Sequence, residues 1–156
     1  MLRNGRATIG IIAGKEDTMS ETGFFRDQHD DLQALASTML AHLHVDELSK
    51  DASKVNRLLT ELASQLKVHL IMEDHTLYSK LLEHRDERIR STASRLYVEM
   101  DSLGKAVAAH KKQWPNALQI QKHPAEFIAQ TRAMMDLLIK RIDMENSELY
   151  KLVDEL

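Results

Sequence analysis

The chain has 156 residues, 43% of them hydrophobic and 29% charged, with five glycines, two prolines and a net charge of −3. That is enough chain for one domain with a sizeable core, in a composition that favours helices. Interspersed charge signs argue against a nucleic-acid or polybasic membrane face, and no apolar run approaches a membrane span. The absence of cysteine excludes disulfides, thiolate metal sites and cysteine nucleophiles.

Residues 1–20 lack a helical period, and their apolar run from Ile9 to Ala13 is too short for an export signal of usual design. They read as a flexible N-terminal leader before a folded domain at 21–156, and the expected location is the cytoplasm. From there apolar residues recur at steps of three and four. A first helix carries Phe25, Leu32, Leu35, Met39 and Leu43, with His29 on the same stripe. It should fade near His44, where Asp46 to Asp51 offers capping residues for a new start. A long second helix aligns Val55, Leu59, Leu62, Leu66, His69, Glu73, Leu77 and Leu81.

Glu83 to Glu87 reads as a tight connection. The third helix carries Ile89, Leu96, Met100, Leu103, Val107 and His110, and stops before Trp114-Pro115, because proline disfavours helix in the preceding residue. Asn116 to Lys122 forms a loop or a short extra turn. Pro124 suits the first turn of a fourth helix, which turns Phe127, Met134, Leu138, Arg141, Glu145, Leu149 and Leu152 inward. Four long helices with short links predict an all-α, up-down-up-down four-helix bundle.

The chain also repeats itself. Met72, Glu73, Leu77 and Tyr78 match Met144, Glu145, Leu149 and Tyr150, about 72 positions on, while Arg141 stands where the repeat of His69 would fall. The run HDDLQALA from His29 echoes MDSLGKAV from Met100, so the bundle reads as two related helical hairpins. On a helix, residues four apart share a face, which aims His69 and Glu73 together. With a rise of about 1.5 Å per residue, Glu73, Met100, His29 and Glu145 reach similar heights, whereas His110 lies roughly 15 Å from that layer.

Polar groups on apolar stripes are costly unless paired. His29, His69, Glu73 and Glu145 therefore form either a metal site or a buried histidine–carboxylate network, and the residues alone leave both readings open. Tyr78 and Tyr150 are placed beside this layer, within hydrogen-bonding reach of its side chains. His42, His44, His110 and His123 read as capping or surface groups at the other end, and His75 and His84 as pointing outward.

The order His29, then His69-x-x-x-Glu73 with Leu77-Tyr78, then Glu145 with Leu149-Tyr150, resembles the hemerythrin-like HHE cation-binding domain over residues 21–155. The resemblance implies a helical bundle with a non-haem di-iron core, and roles in dioxygen, nitric oxide or redox handling or in iron sensing. Carried over by position, the metal ligands are His29, His69, Glu73 and Glu145. The family's remaining histidines fall at Met100 and Arg141, so the second metal position is vacated there.

The implied protein is a metal-binding one with a degenerate site that holds one iron or none, and not evidently an enzyme. In the alternative, a metal-free regulatory module that engages a protein partner, Arg141 replaces the second metal by pairing with Glu73, Glu145 or both.

Overall fold

A computed structural model of the chain describes residues 22–156; the leader expected at 1–20 lies outside them. Its elements are all helical. Helix α1 covers residues 22–40, α2 Val45–Lys50 and α3 Ser53–Glu73. Helix α4 runs over Glu87–Gln113, α5 over Ala117–Lys122 and α6 over Pro124–Met144. Neither α3 nor α6 stops where its regular geometry ends. Each passes through one π-helical turn, Asp74–Tyr78 and Glu145–Leu149, and resumes as Ser79–Leu81 and Tyr150–Asp154.

Local chemistry sets the boundaries. The Asp86 carboxylate accepts from the Arg88 backbone N–H and starts α4, and Asn116 does the same for α5 through Gln119 N–H. Pro124 stands in the first turn of α6, where its missing N–H costs nothing. The stretch expected to cap the second long helix is itself a short helix, α2, because Leu48 is fully buried and anchors it. Asp51 then accepts from Ser53 N–H at 2.9 Å and restarts the chain as α3.

Paired contacts show how the long helices run. Thr22 meets Asp154, His29 meets Asn146 and Arg132 meets the Leu43 carbonyl, so α1 and α6 are antiparallel. Arg95 with Glu148, and His110 with Thr131, give the same relation for α4 and α6. Helix α3 packs against α4 with Asn56 near Lys111, and a Cβ added at Gly104 would sit only 2.6 Å from Leu70 Cδ1.

The apolar interior falls into two clusters. The larger includes Leu32, Met39, Leu59, Leu66, Met100, Leu103, Leu138 and Ile142. The smaller, at the end where α1 begins, joins Phe25, Leu77, Tyr78, Leu81, Leu96, Leu149, Tyr150 and Val153. Between Leu66 and Leu77 along α3 and its continuation, and between Ile142 and Leu149 along α6 and its continuation, the stripe is interrupted by buried His69, Glu73 and Glu145. A polar layer thus divides the core. Among the described residues, no helix is long and apolar enough to cross a membrane.

Candidate metal centre

Three helices build this layer. His29 comes from α1, His69 and Glu73 from α3, and Glu145 from the first position of the π turn after α6; all four are at most 1% exposed. His69 Nε2 lies 2.8 Å from Glu73 Oε1, and His29 Nε2 lies 2.9 Å from Glu145 Oε1. The two Nε2 atoms are 3.0 Å apart.

The far side of each imidazole is fixed by an amide. His29 Nδ1 is 2.7 Å from Asn146 Oδ1, and His69 Nδ1 is 2.6 Å from Gln28 Oε1. An amide oxygen only accepts, so both Nδ1 atoms carry protons and donate. Gln28 is held in that orientation because its Nε2 donates to Met72 Sδ at 3.8 Å. Both Nε2 atoms consequently face the middle of the layer, in the tautomer that leaves a lone pair there when the ring is neutral. Metal-bound histidines are oriented in this manner by outer hydrogen bonds.

The tyrosines hold the carboxylates from the other side. Tyr78 Oη donates to Glu145 Oε2 at 2.5 Å, and Tyr150 Oη donates to Glu73 Oε2 and, at 3.1 Å, to Glu145 Oε1. They reach the layer because of the π turns. In an α-helix the residue at i+5 is rotated about 140° from residue i. The wider π turn brings i+5 back toward the same face, and the Tyr150 N–H bonds to the Glu145 carbonyl, five residues earlier. In the first half the corresponding bond runs one residue later, from Ser79 N–H to the Asp74 carbonyl, and Tyr78 again lies five residues past the glutamate, Glu73.

These turns went unread in the sequence, and they correct one residue: past Glu145 it is Val153, not Leu152, that is buried. The adjacent apolar pairs Leu77-Tyr78 and Leu149-Tyr150 both turn inward here, but such pairs do not by themselves signal a π turn, since Phe127-Ile128 and Met134-Met135 are buried neighbours within regular helix. Gln28 and Asn146 were also missed, because neither lies on an apolar stripe.

The electrostatics are strongly divided. Burial, and then the neighbouring charge of Glu145, push the Glu73 carboxyl above its ordinary range. Burial pushes Glu145 the same way, but the close His29 and His69 imidazoles outweigh it and hold it low. Burial disfavours the imidazolium of His69, yet Glu145 and Glu73 prevail and hold its pKa up to about 9. Burial and the two carboxylates raise both tyrosines, which therefore stay protonated donors.

Of the two positions read as vacated, Met100 is buried in the larger cluster. Arg141 requires a correction. Its Nη1 pairs with Glu99 Oε2 at 3.1 Å and contacts Met144 Sδ at 3.6 Å, rather than lying between Glu73 and Glu145. The reason is geometric: the phenols of Tyr78 and Tyr150 already occupy the accessible carboxylate oxygens, and the long arginine stem reaches a partly exposed partner on α4 instead. His110 is apart from the layer as expected, but it is buried and bonded to Thr131 at 2.9 Å rather than being a capping or surface group.

The donor set fits a cation. One ligand atom from each of His29, His69, Glu73 and Glu145 lies within 4.8 Å of every other. Donors on opposite sides of an ion with bonds of about 2.0–2.2 Å stand roughly 4.0–4.4 Å apart, so slight closure suffices. Glu73 Oε1 belongs to the same set: it is buried, and its ion-pair partner is His69 Nε2 at 2.8 Å.

A helical bundle whose core is crossed by a buried layer of two imidazoles and two carboxylates belongs to the class of bundles able to hold a cation between their helices. The family model of the hemerythrin HHE cation-binding domain matches residues 21–153. The chain belongs to that family. No curated protein and no solved structure matches it.

Proposed function

We propose that this chain binds a single iron ion through His29, His69, Glu73 and Glu145, and that it serves in sensing or storage linked to metal, oxygen or redox state. The observation carrying the reading is the pair of amide-oriented imidazoles, whose Nε2 atoms stand 3.0 Å apart, one 2.8 Å from Glu73 Oε1 and the other 2.9 Å from Glu145 Oε1. Imidazole and carboxylate donors suit iron, as they also suit zinc and manganese, and family membership favours iron. One ion is favoured over two because the α4 and α6 positions facing the second place offer a thioether and a guanidinium. The first is a poor donor to an oxygen-rich site and the second has no lone pair. Dioxygen or nitric oxide would be the small ligands to test on the loaded protein.

A metal-free regulatory module, acting through a protein partner, has its own support: three of the four carboxylate oxygens already accept hydrogen bonds from tyrosine. The two readings separate on metal content. Protein made under iron-replete conditions and purified without oxygen should hold close to one iron per chain; less than about a tenth of an equivalent would favour the module.

A further inference from the structure

The two tyrosines stand differently toward the centre of the layer. Tyr78 Oη touches only Glu145 Oε2, the oxygen turned away from the imidazoles. Tyr150 Oη sits on the inner side, 3.1 Å from Glu145 Oε1, 3.3 Å from His29 Nε2 and in contact with Glu73 Oε2. Neighbouring donors at right angles around an ion with bonds of about 2.0–2.2 Å are roughly 2.8–3.1 Å apart. The separations from Tyr150 Oη to the His29 and Glu145 donor atoms match, or nearly match, the edges of such a coordination shell. So do the His29–Glu145, His69–Glu73 and His29–His69 separations of 2.9, 2.8 and 3.0 Å.

We infer that Tyr150 Oη is a fifth ligand atom of this centre and that its phenolate selects a trivalent cation, ferric iron. The inference rests on the metal-binding reading above. On loading, bonds from Tyr150 Oη and His69 Nε2 to the metal would form, the Oη–H and Nε2–H bonds would break and both protons would be released to solvent; no electron is transferred. Two carboxylates and one phenolate then supply three negative charges, the number that neutralises a trivalent ion in a water-poor core, where unbalanced charge is costly. The ring is held for this role. It stacks on His29 at 5.2 Å between centroids, and the Arg26 guanidinium lies 5.3 Å from its own centroid, where a cation favours an electron-rich ring. Arg26 is itself anchored to Asp154 at 3.0 Å.

The test loads the metal-free full chain with ferric ion supplied as its citrate complex, and compares the chain with Tyr150→Phe and Tyr78→Phe. Iron content and visible absorption are both recorded. The expected result is one bound iron with a phenolate-to-iron charge-transfer band, present in the wild type and in Tyr78→Phe. In Tyr150→Phe the band is lost and ferric affinity falls roughly 100-fold, the upper end of what even an outer hydrogen-bond partner contributes.

Iron bound without that band in the wild type overturns the ligand assignment and leaves the metal-binding reading intact. A band that survives in Tyr150→Phe but disappears in Tyr78→Phe overturns it too, in favour of the other ring. A wild type that binds no iron overturns both readings. Absence of the band in iron-loaded wild type overturns the assignment without any variant, and if Tyr150→Phe fails to fold, retention or loss of the band in Tyr78→Phe still decides between the two rings.

Discussion

The two halves of the bundle share a backbone device and differ in chemistry. Residues 22–81 and 87–154 each end in a glutamate, a π turn and a tyrosine at i+5, and the tyrosines cross over so that each donates to the other half's glutamate. Only the first half adds imidazoles. At the corresponding heights the second half has Met100, packed in the core, and Arg141, turned to Glu99. Backbone geometry thus persists where ligand identity does not. The carboxylates and phenols are a symmetric frame, and the histidines make it one-sided.

The sharpest way to break this comparison is His69→Ala. It removes one of two imidazoles and leaves Glu73 buried without its nearest cation, so metal content should fall from about one equivalent to near zero, with stability lowered by roughly 2–4 kcal/mol. Elemental analysis and denaturant melts measure the two effects. A loss of stability with unchanged metal content would move the ion elsewhere.

Restoring symmetry is the converse. Met100→His together with Arg141→His should raise bound metal from about one toward about two per chain, since each adds a donor to the poorer half. Stoichiometry that does not change would mean those positions do not face the second place. Next in size is Gln28→Leu, which removes the acceptor that orients His69. A loss of roughly 10–100-fold in metal affinity by competition titration is expected, with little change in fold.

The other end of the bundle gives a contrast in protonation. Burial, with a lesser push from Lys111, holds His110 down to about 4, so it is neutral in the fold while the unfolded chain's imidazole titrates near 6.5. Between those values the unfolded state binds more protons, so stability is lost as pH falls from about 6.5 toward 4 and levels off below, on the order of 1 kcal/mol. Thermal melts across that window should show the loss, and His110→Gln should flatten it.

The smallest effect belongs to Arg141→Ala. The ion pair with Glu99 is partly exposed, so its removal should change stability by less than about 1 kcal/mol and leave metal content as it was. A large gain or loss of metal would return Arg141 to the site.

What the sequence revealed and what it withheld divide along physical lines. Period and spacing sufficed for the helices and for the four polar residues, because an apolar stripe interrupted by His29, His69, Glu73 and Glu145 is visible at a 3.6-residue repeat. Arg141 was misplaced because a long flexible side chain beginning on an inward stripe can still leave it. The π turns were hidden because one inserted residue shifts the phase by about 100° without changing composition. Gln28 and Asn146 were hidden because their roles depend on contacts between helices, which no local pattern encodes.

One consequence of those widened turns concerns insertions and deletions. The extra residue that aims Tyr78 and Tyr150 also sets the facing of everything after them, including Leu81 and Val153, which seal the end of the bundle. Shortening either turn by a single residue would spin the remaining tail about a quarter-turn or more and unseat its plug as well as its phenol. Closure of the bundle's end and the aim of its hydroxyls therefore descend together, and chains of this kind should tolerate substitutions at the turn positions 74–76 and 147–148 far better than changes in the turns' length.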